Sequence, residues 1–173
     1  PSDIGGGKNL KDVVVINGGE LELTAGDDCL DANGNLAING GTVKATKTNG
    51  TVSGFEAVLD ADGTVSIGEN AALICAVGRG SAPNIDISQY EVTVYTDEAH
   101  GEGDKITLKD SSGKVISEYT AGGSFGVVWI ASPSLKKGKT YTVCIGDETH
   151  TFTTDSQSTT VGTVSGFSEI KRQ

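Results

Sequence analysis

The chain of 173 residues contains no methionine, only 3 prolines and few aromatics, with 4 Tyr, 4 Phe and 1 Trp. No long window carries apolar residues at helical spacing, which argues against a helical architecture. No apolar run is long enough to cross a bilayer as a helix. Bases are scarce: 13 Lys and Arg against 23 Asp and Glu leave a net charge of -10. Nucleic acid is therefore not the expected partner, because phosphate contact wants a basic surface. The 3 cysteines, Cys29, Cys75 and Cys144, cannot all pair with one another. No CxxC pair or Cys/His spacing points to zinc. Cys75, inside Leu73-Ile74-Cys75-Ala76-Val77, reads as a small buried apolar residue.

What the chain does have is 25 glycines, with Thr, Val, Ser and Ile crowding the apolar runs. That composition suits many short strands joined by tight turns, an all-β protein. The strands also repeat. Ile16-Asn17-Gly18-Gly19-Glu20-Leu21 recurs 22 residues later as Ile38-Asn39-Gly40-Gly41-Thr42-Val43. Leu30-Asp31-Ala32-Asn33-Gly34-Asn35-Leu36-Ala37-Ile38 recurs after 29 as Leu59-Asp60-Ala61-Asp62-Gly63-Thr64-Val65-Ser66-Ile67. A unit of this length predicts a stacked solenoid. Its crossovers should be right-handed. The apolar alternation Leu36, Ile38, Val43, Ala45 and then Val65, Ile67, Leu73, Cys75 would stack inward as one core. The same shifts place acids and amides in columns, Asn9/Asp31/Asp60 and Lys11/Asn33/Asp62.

Residues 1–84 hold the repeats. The polar, Gly-rich insert Thr46–Phe55 lengthens the second period and is either a binding loop or a tolerated insertion. Residues 85–161 change character. Strands are predicted at 90–95, 105–110, 115–119, 127–130 and 140–145, with 111–114 as a hairpin turn and 132–139 as a second turn. They form either further coils or an antiparallel cap over the solenoid end. Residues 162–173 read as a polar tail. The opening Ser2–Gly7 reads as the middle of a repeat, as expected of a mature or trimmed fragment, so a missing leader carries no information.

Asp27, Asp28, Asp31 and Asn33 share one turn, and Asp60 and Asp62 continue their columns. Calcium takes about six to eight oxygen ligands, usually with two or more carboxylates. Unpaired carboxylates at this density repel, so a cation among them is physically reasonable. The alternative is a solvated acidic ridge in which Asp and Asn serve the turns. Lys44, Lys47 and Arg79 are candidate contacts for an acidic ligand, or plain surface charges. Trp129, Tyr95 and Tyr141 are read as packing residues rather than sugar platforms. His100 and His150, in polar turns or strand ends and without a nucleophile nearby, read as satisfied surface side chains. No catalytic residue is assigned.

The stretch Gly26-Asp27-Asp28-Cys29-Leu30-Asp31-Ala32-Asn33-Gly34-Asn35, followed by Ile38-Asn39-Gly40-Gly41-Thr42-Val43, resembles the carbohydrate-binding parallel β-helix proteins of clostridial and related bacterial surfaces. Lys105–Lys114 and Ser132–Thr142 share the resemblance. It implies a right-handed parallel β-helix at the cell surface that binds polygalacturonate, the pectin backbone, through calcium without catalysis. Three features depart from that pattern. Cys29 stands where Gly is usual, the second acidic turn lacks an Asp-Asp pair, and the chain begins late in the pattern. Two other functions stay open: a pectate or polysaccharide lyase on a β-helix, and a structural surface protein associating end to end with calcium as a stabiliser.

Overall fold

The computed structural model describes residues 12–48, 58–78 and 85–163. The described residues are all-β; they include no helix, and so none long and apolar enough to cross a membrane. The first seven strands are β1 (Val13–Ile16), β2 (Glu20–Ala25), β3 (Leu30–Ala32), β4 (Asn35–Lys47), β5 (Leu59–Ala61), β6 (Val65–Val77) and β7 (Asp86–Ile87). Every pairing among them is parallel. β1 and β2 lie end to end along β4, and β4 lies along β6. β3 and β5 form a separate two-stranded sheet.

The repeat shifts in the sequence are the pairing registers of these strands. Val13 meets Asn35 and Glu20 meets Thr42, an offset of 22. Leu30 meets Leu59 and Leu36 meets Val65, an offset of 29, which becomes 30 beyond a bulge between Ile38 and Gly40. Like side chains therefore stack, as in the ladder Ile16, Ile38, Ile67 and Ile87. Leu21 stacks on Val43 and Leu73, and Leu23 on Ala45 and Cys75. All eight inward positions expected from the alternation lie in one core cluster, Val65 at its edge and the other seven fully buried. Outside the core, Asn39 Nδ2 donates to Asn17 Oδ1 at 2.8 Å, one register step away.

The Gly-Gly turns have a local cause. Gly19 and Gly41 both take φ +90°, a left-handed region that L side chains rarely adopt. A Cβ on Gly41 would also lie 2.6 Å from Gly19 O, the carbonyl that accepts from Thr42 N. Neighbouring bends approach too closely for any side chain.

Beyond β7 come β8 (Glu91–His100), β9 (Lys105–Asp110), β10 (Val115–Thr120), β11 (Phe125–Ala131), β12 (Thr140–Ile145), β13 (Glu148–Thr153) and β14 (Ser158–Val161). β9 and β10 form the hairpin expected there. These strands are not further coils. β10-β9-β12-β13 is one antiparallel sheet, and β11 is antiparallel to β8. The two sheets pack face to face as a β-sandwich, with β14 added parallel to β8. A tyrosine near the start of β12 ties that strand to the loop before it. Tyr141 Oη donates to Ser134 O at 2.9 Å and accepts from Lys136 N at 3.0 Å. Residues 79–84, where the two regions meet in sequence, lie outside the described residues, as do 1–11, 49–57 and 164–173. The sheet itself runs on, because β11 pairs antiparallel with Leu73–Val77 of β6.

One sheet thus separates two cores. On one side Leu73, Cys75, Val127 and Trp129 pack with the apolar residues of the paired repeats. On the other Ile74, Ala76, Val128 and Ile130 pack against Ile106, Leu108, Val143 and Ile145 of the four-stranded sheet. Covered on both faces, β11 is buried at every residue and reads as the unbroken apolar run Phe-Gly-Val-Val-Trp-Ile-Ala. Trp129, Tyr95 and Tyr141 are all buried, in accord with packing roles. All three cysteines are free thiols, and burial pushes Cys75 far above the usual thiol range.

Gly41→Ala should lower the unfolding free energy by more than about 1 kcal/mol, since both its φ and its neighbour forbid a Cβ. Gly18→Ala, with open space around it, should stay within about 0.5 kcal/mol of the parent. Urea unfolding of the two variants checks the contrast.

Candidate functional site

The acidic turn follows β2. Gly26-Asp27-Asp28-Cys29 carries the chain from β2 to β3, and Cys29 N and Leu30 N both donate to Val58 O, tying the turn to the next repeat. In β3 and β5 the parallel register sets Asp31 directly beside Asp60, both exposed. Ordinary strand spacing puts such neighbours about 4.8 Å apart. Burial raises the Asp28 carboxyl above its usual range, and the charges of Asp27, Asp60 and Asp31 raise it further, with Lys47 opposing them. Four of the expected acids therefore share one field. Asn33 is exposed and Asp62 half-buried, two residues further along the same columns, with Asp62 N bonded to Ala32 O. Asp60 is partly engaged, its Oδ1 accepting from Ala61 N at 2.9 Å. Among the described residues no three His, Cys, Asp or Glu side chains converge closely enough to hold a metal ion. The oxygen set has the hardness that calcium prefers, yet its members form an open row rather than a cage.

The three expected basic contacts are placed differently from one another. Lys47 continues the inward alternation of Val43 and Ala45, so its side chain is only 3% exposed. Its ammonium lies 3.3 Å from Asp27 Oδ1, on a carboxylate that is 89% exposed. It acts as a fixed internal counter-charge to the acidic turn. Lys44, on the opposite face of β4, is paired diagonally with Glu20 of β2, two residues before its register partner Glu22. Arg79 lies outside the described residues.

A second polar cluster has no counterpart in the sequence reading. His100 and His150 do not stand apart on the surface but meet at one carboxylate. His100 Nε2 is 3.1 Å from Glu148 Oε1, and His150 Nε2 is 2.9 Å from Glu148 Oε2. Asp104 Oδ2 holds the other face of His100, 2.9 Å from Nδ1, and the ring stacks on Phe125. Glu148 also accepts from Asp97 N at 3.0 Å and Glu98 N at 2.9 Å. Burial pushes its carboxyl up, but these amides and imidazoles outweigh it and hold it at about 2. Glu148 clamps the end of β8 to β13. The residues are about fifty apart in sequence, so no local spacing could have announced them.

No family model, curated protein or solved structure matches the chain.

Glu148 is ionised more readily in the folded chain than unfolded, so its contribution is present above the ordinary carboxylate value of 4.5 and is lost as pH falls towards about 2. Glu148→Gln should cost about 2–3 kcal/mol at neutral pH, the size of hydrogen bonds to a charged group. The gap between parent and variant in urea unfolding should close as pH falls through that window. A gap unchanged at the acid end would show that the clamp does not depend on the carboxylate charge.

Proposed function

We propose that this protein is a non-catalytic, extracellular carbohydrate-binding module. It binds an acidic polysaccharide, polygalacturonate in the first place, through calcium on the acidic edge of its stacked repeats. In this reading β1–β7 belong to coils of a right-handed parallel β-helix of a bacterial surface protein, the region expected over 1–84, and the sandwich is their cap. The in-register pairing of Asp31 with Asp60, beside the raised carboxyl of Asp28, carries the proposal. Like charges at strand spacing favour a divalent cation, and a row rather than a cage leaves coordination positions for a second set of carboxylates. Asp27, Asp28, Asp31, Asn33, Asp60 and Asp62 would supply the protein oxygens. A chain of net charge -10 repels polyuronate unless a cation stands between them. Calcium would bridge the two anions, and Lys47, already spent on Asp27, would only keep the turn in place.

A second reading, a structural protein that self-associates, is favoured by a different observation. Among the described residues β1 is an edge strand, and its Val13 and Val15 are 51% and 47% exposed. An apolar edge with open backbone groups pairs readily with another chain. If assembly is the role, sedimentation should show concentration-dependent association without sugar, and Val13→Lys with Val15→Lys should abolish it.

Calorimetric titration of polygalacturonate tests the first reading. Binding heat should appear with calcium and its calcium-dependent part should vanish on chelation. Asp31→Asn with Asp60→Asn should weaken that part by about tenfold or more, equivalent to about 1.4 kcal/mol. A product absorbing in the near ultraviolet would mark a lyase instead. Calcium-independent affinity alone would overturn the metal-bridged reading.

A further inference from the structure

A groove of about 570 Å³ lies between the β9–β10 turn and the β11–β12 loop of the sandwich. Lys114, Lys136 and Lys139 line it, although the chain as a whole is strongly acidic. All three are exposed, and no ion pair among the described residues involves any of them. The one carboxylate in the lining, Asp110, is committed to its own turn. Its Oδ1 accepts from Ser112 N at 2.9 Å, Ser112 Oγ at 2.6 Å and Lys114 N at 3.1 Å.

Both walls are held in place before any ligand arrives. Asp110 fixes the turn that presents Lys114. On the other wall the buried Tyr141 hydroxyl bonds Lys136 N and Ser134 O, and Thr154 Oγ1 donates to the carbonyls of Lys136 and Lys139. Three ammoniums are thus carried on backbone that is already ordered, which lowers the entropy cost of binding. Between them stand the exposed hydroxyls of Ser134 and Thr140, and the apolar side chain of Val115, which is 46% exposed.

We propose that this groove is a second, metal-independent site for an acidic sugar chain, with carboxylates on Lys114, Lys136 and Lys139, sugar hydroxyls on Ser134 and Thr140, and a C–H face on Val115. Uronate rings display these three chemistries together. A nucleic-acid strand fits less well, because the lining's aromatic ring, Tyr141, is buried and cannot stack on a base. The site is separate from the acidic row and opposite in charge, so it stands whether or not calcium bridges a ligand there.

The test titrates trigalacturonate into the full chain in excess chelator at low salt. Binding should persist without metal and weaken as salt is added. Lys114→Gln with Lys136→Gln and Lys139→Gln should reduce it about tenfold or more at an unchanged melting temperature. The single charge reversal Lys136→Glu should also weaken it, which guards against a folding defect in the triple variant. Asp31→Asn with Asp60→Asn should leave it intact, and the fully methyl-esterified trimer should not bind. No binding in chelator, wild-type affinity in the triple variant, or equal binding of the ester would each overturn the proposal. Loss of the calcium-dependent component alone would count only against the acidic row.

Discussion

β6 is paired in two opposite senses at once, parallel to β4 and antiparallel to β11, and the rest of the architecture depends on it. Along one edge it continues the parallel stack, each apolar residue resting on its counterpart in β4. Along the other, its second half accepts β11 antiparallel. A parallel stack otherwise ends on an open row of amides and carbonyls and an uncovered apolar interior. Here β11 closes the hydrogen-bonding edge of the second half of β6, while Val127, Trp129 and Ala131 extend the core of the repeats. The opposite face of the same strand nucleates a second core. Side chains alternate by strand geometry alone, so two cores cost no extra chain. The join is also pinned by polar contacts. Thr46 Oγ1, fully buried, bonds Tyr119 Oη at 2.7 Å and accepts from Gly122 N at 3.1 Å.

Charge follows the same division. The stacked repeats bring carboxylates into register because a residue repeated at the pairing offset must meet itself. Asp31 and Asp60 are forced together by the leucines beside them, which seat Leu30 on Leu59. The repulsion is offset within the repeats by Lys47, whose position depends on the inward parity of β4. The sandwich works differently. Lys114, Lys136 and Lys139 sit on turns held by Asp110 and Tyr141, outside any ion pair among the described residues. Under the two proposals, acidic and basic surfaces on separate elements would engage one anionic chain polymer in two ways, by a bridging cation and by direct contact.

The local repeats were legible because they are contiguous. The offsets of 22 and 29 residues, the inward apolar set and the Asp31/Asp60 column follow from comparing the chain with itself. Lys47 reads in the sequence as a ligand contact or a surface charge, whereas it is buried, because β4 runs on to Lys47 and carries the inward parity of Val43 and Ala45 into what looks like a polar insert. The His100–Glu148–His150 cluster was invisible for a simpler reason. It joins the end of β8 to β13, and only the folding of one sheet onto another brings those residues together.

By itself the sequence determined the strands, their register within the repeats and which acids would be neighbours, because period-2 alternation and a fixed offset are properties of contiguous residues. It left open whether residues 85–161 would add coils or fold back, since an apolar strand such as β11 fits either arrangement. Only the tertiary structure decided that β11 runs antiparallel to β6, that Lys47 turns inward and that three lysines gather at one groove. Those outcomes depend on contacts between segments far apart in the chain, whose free energy appears only once both cores are closed.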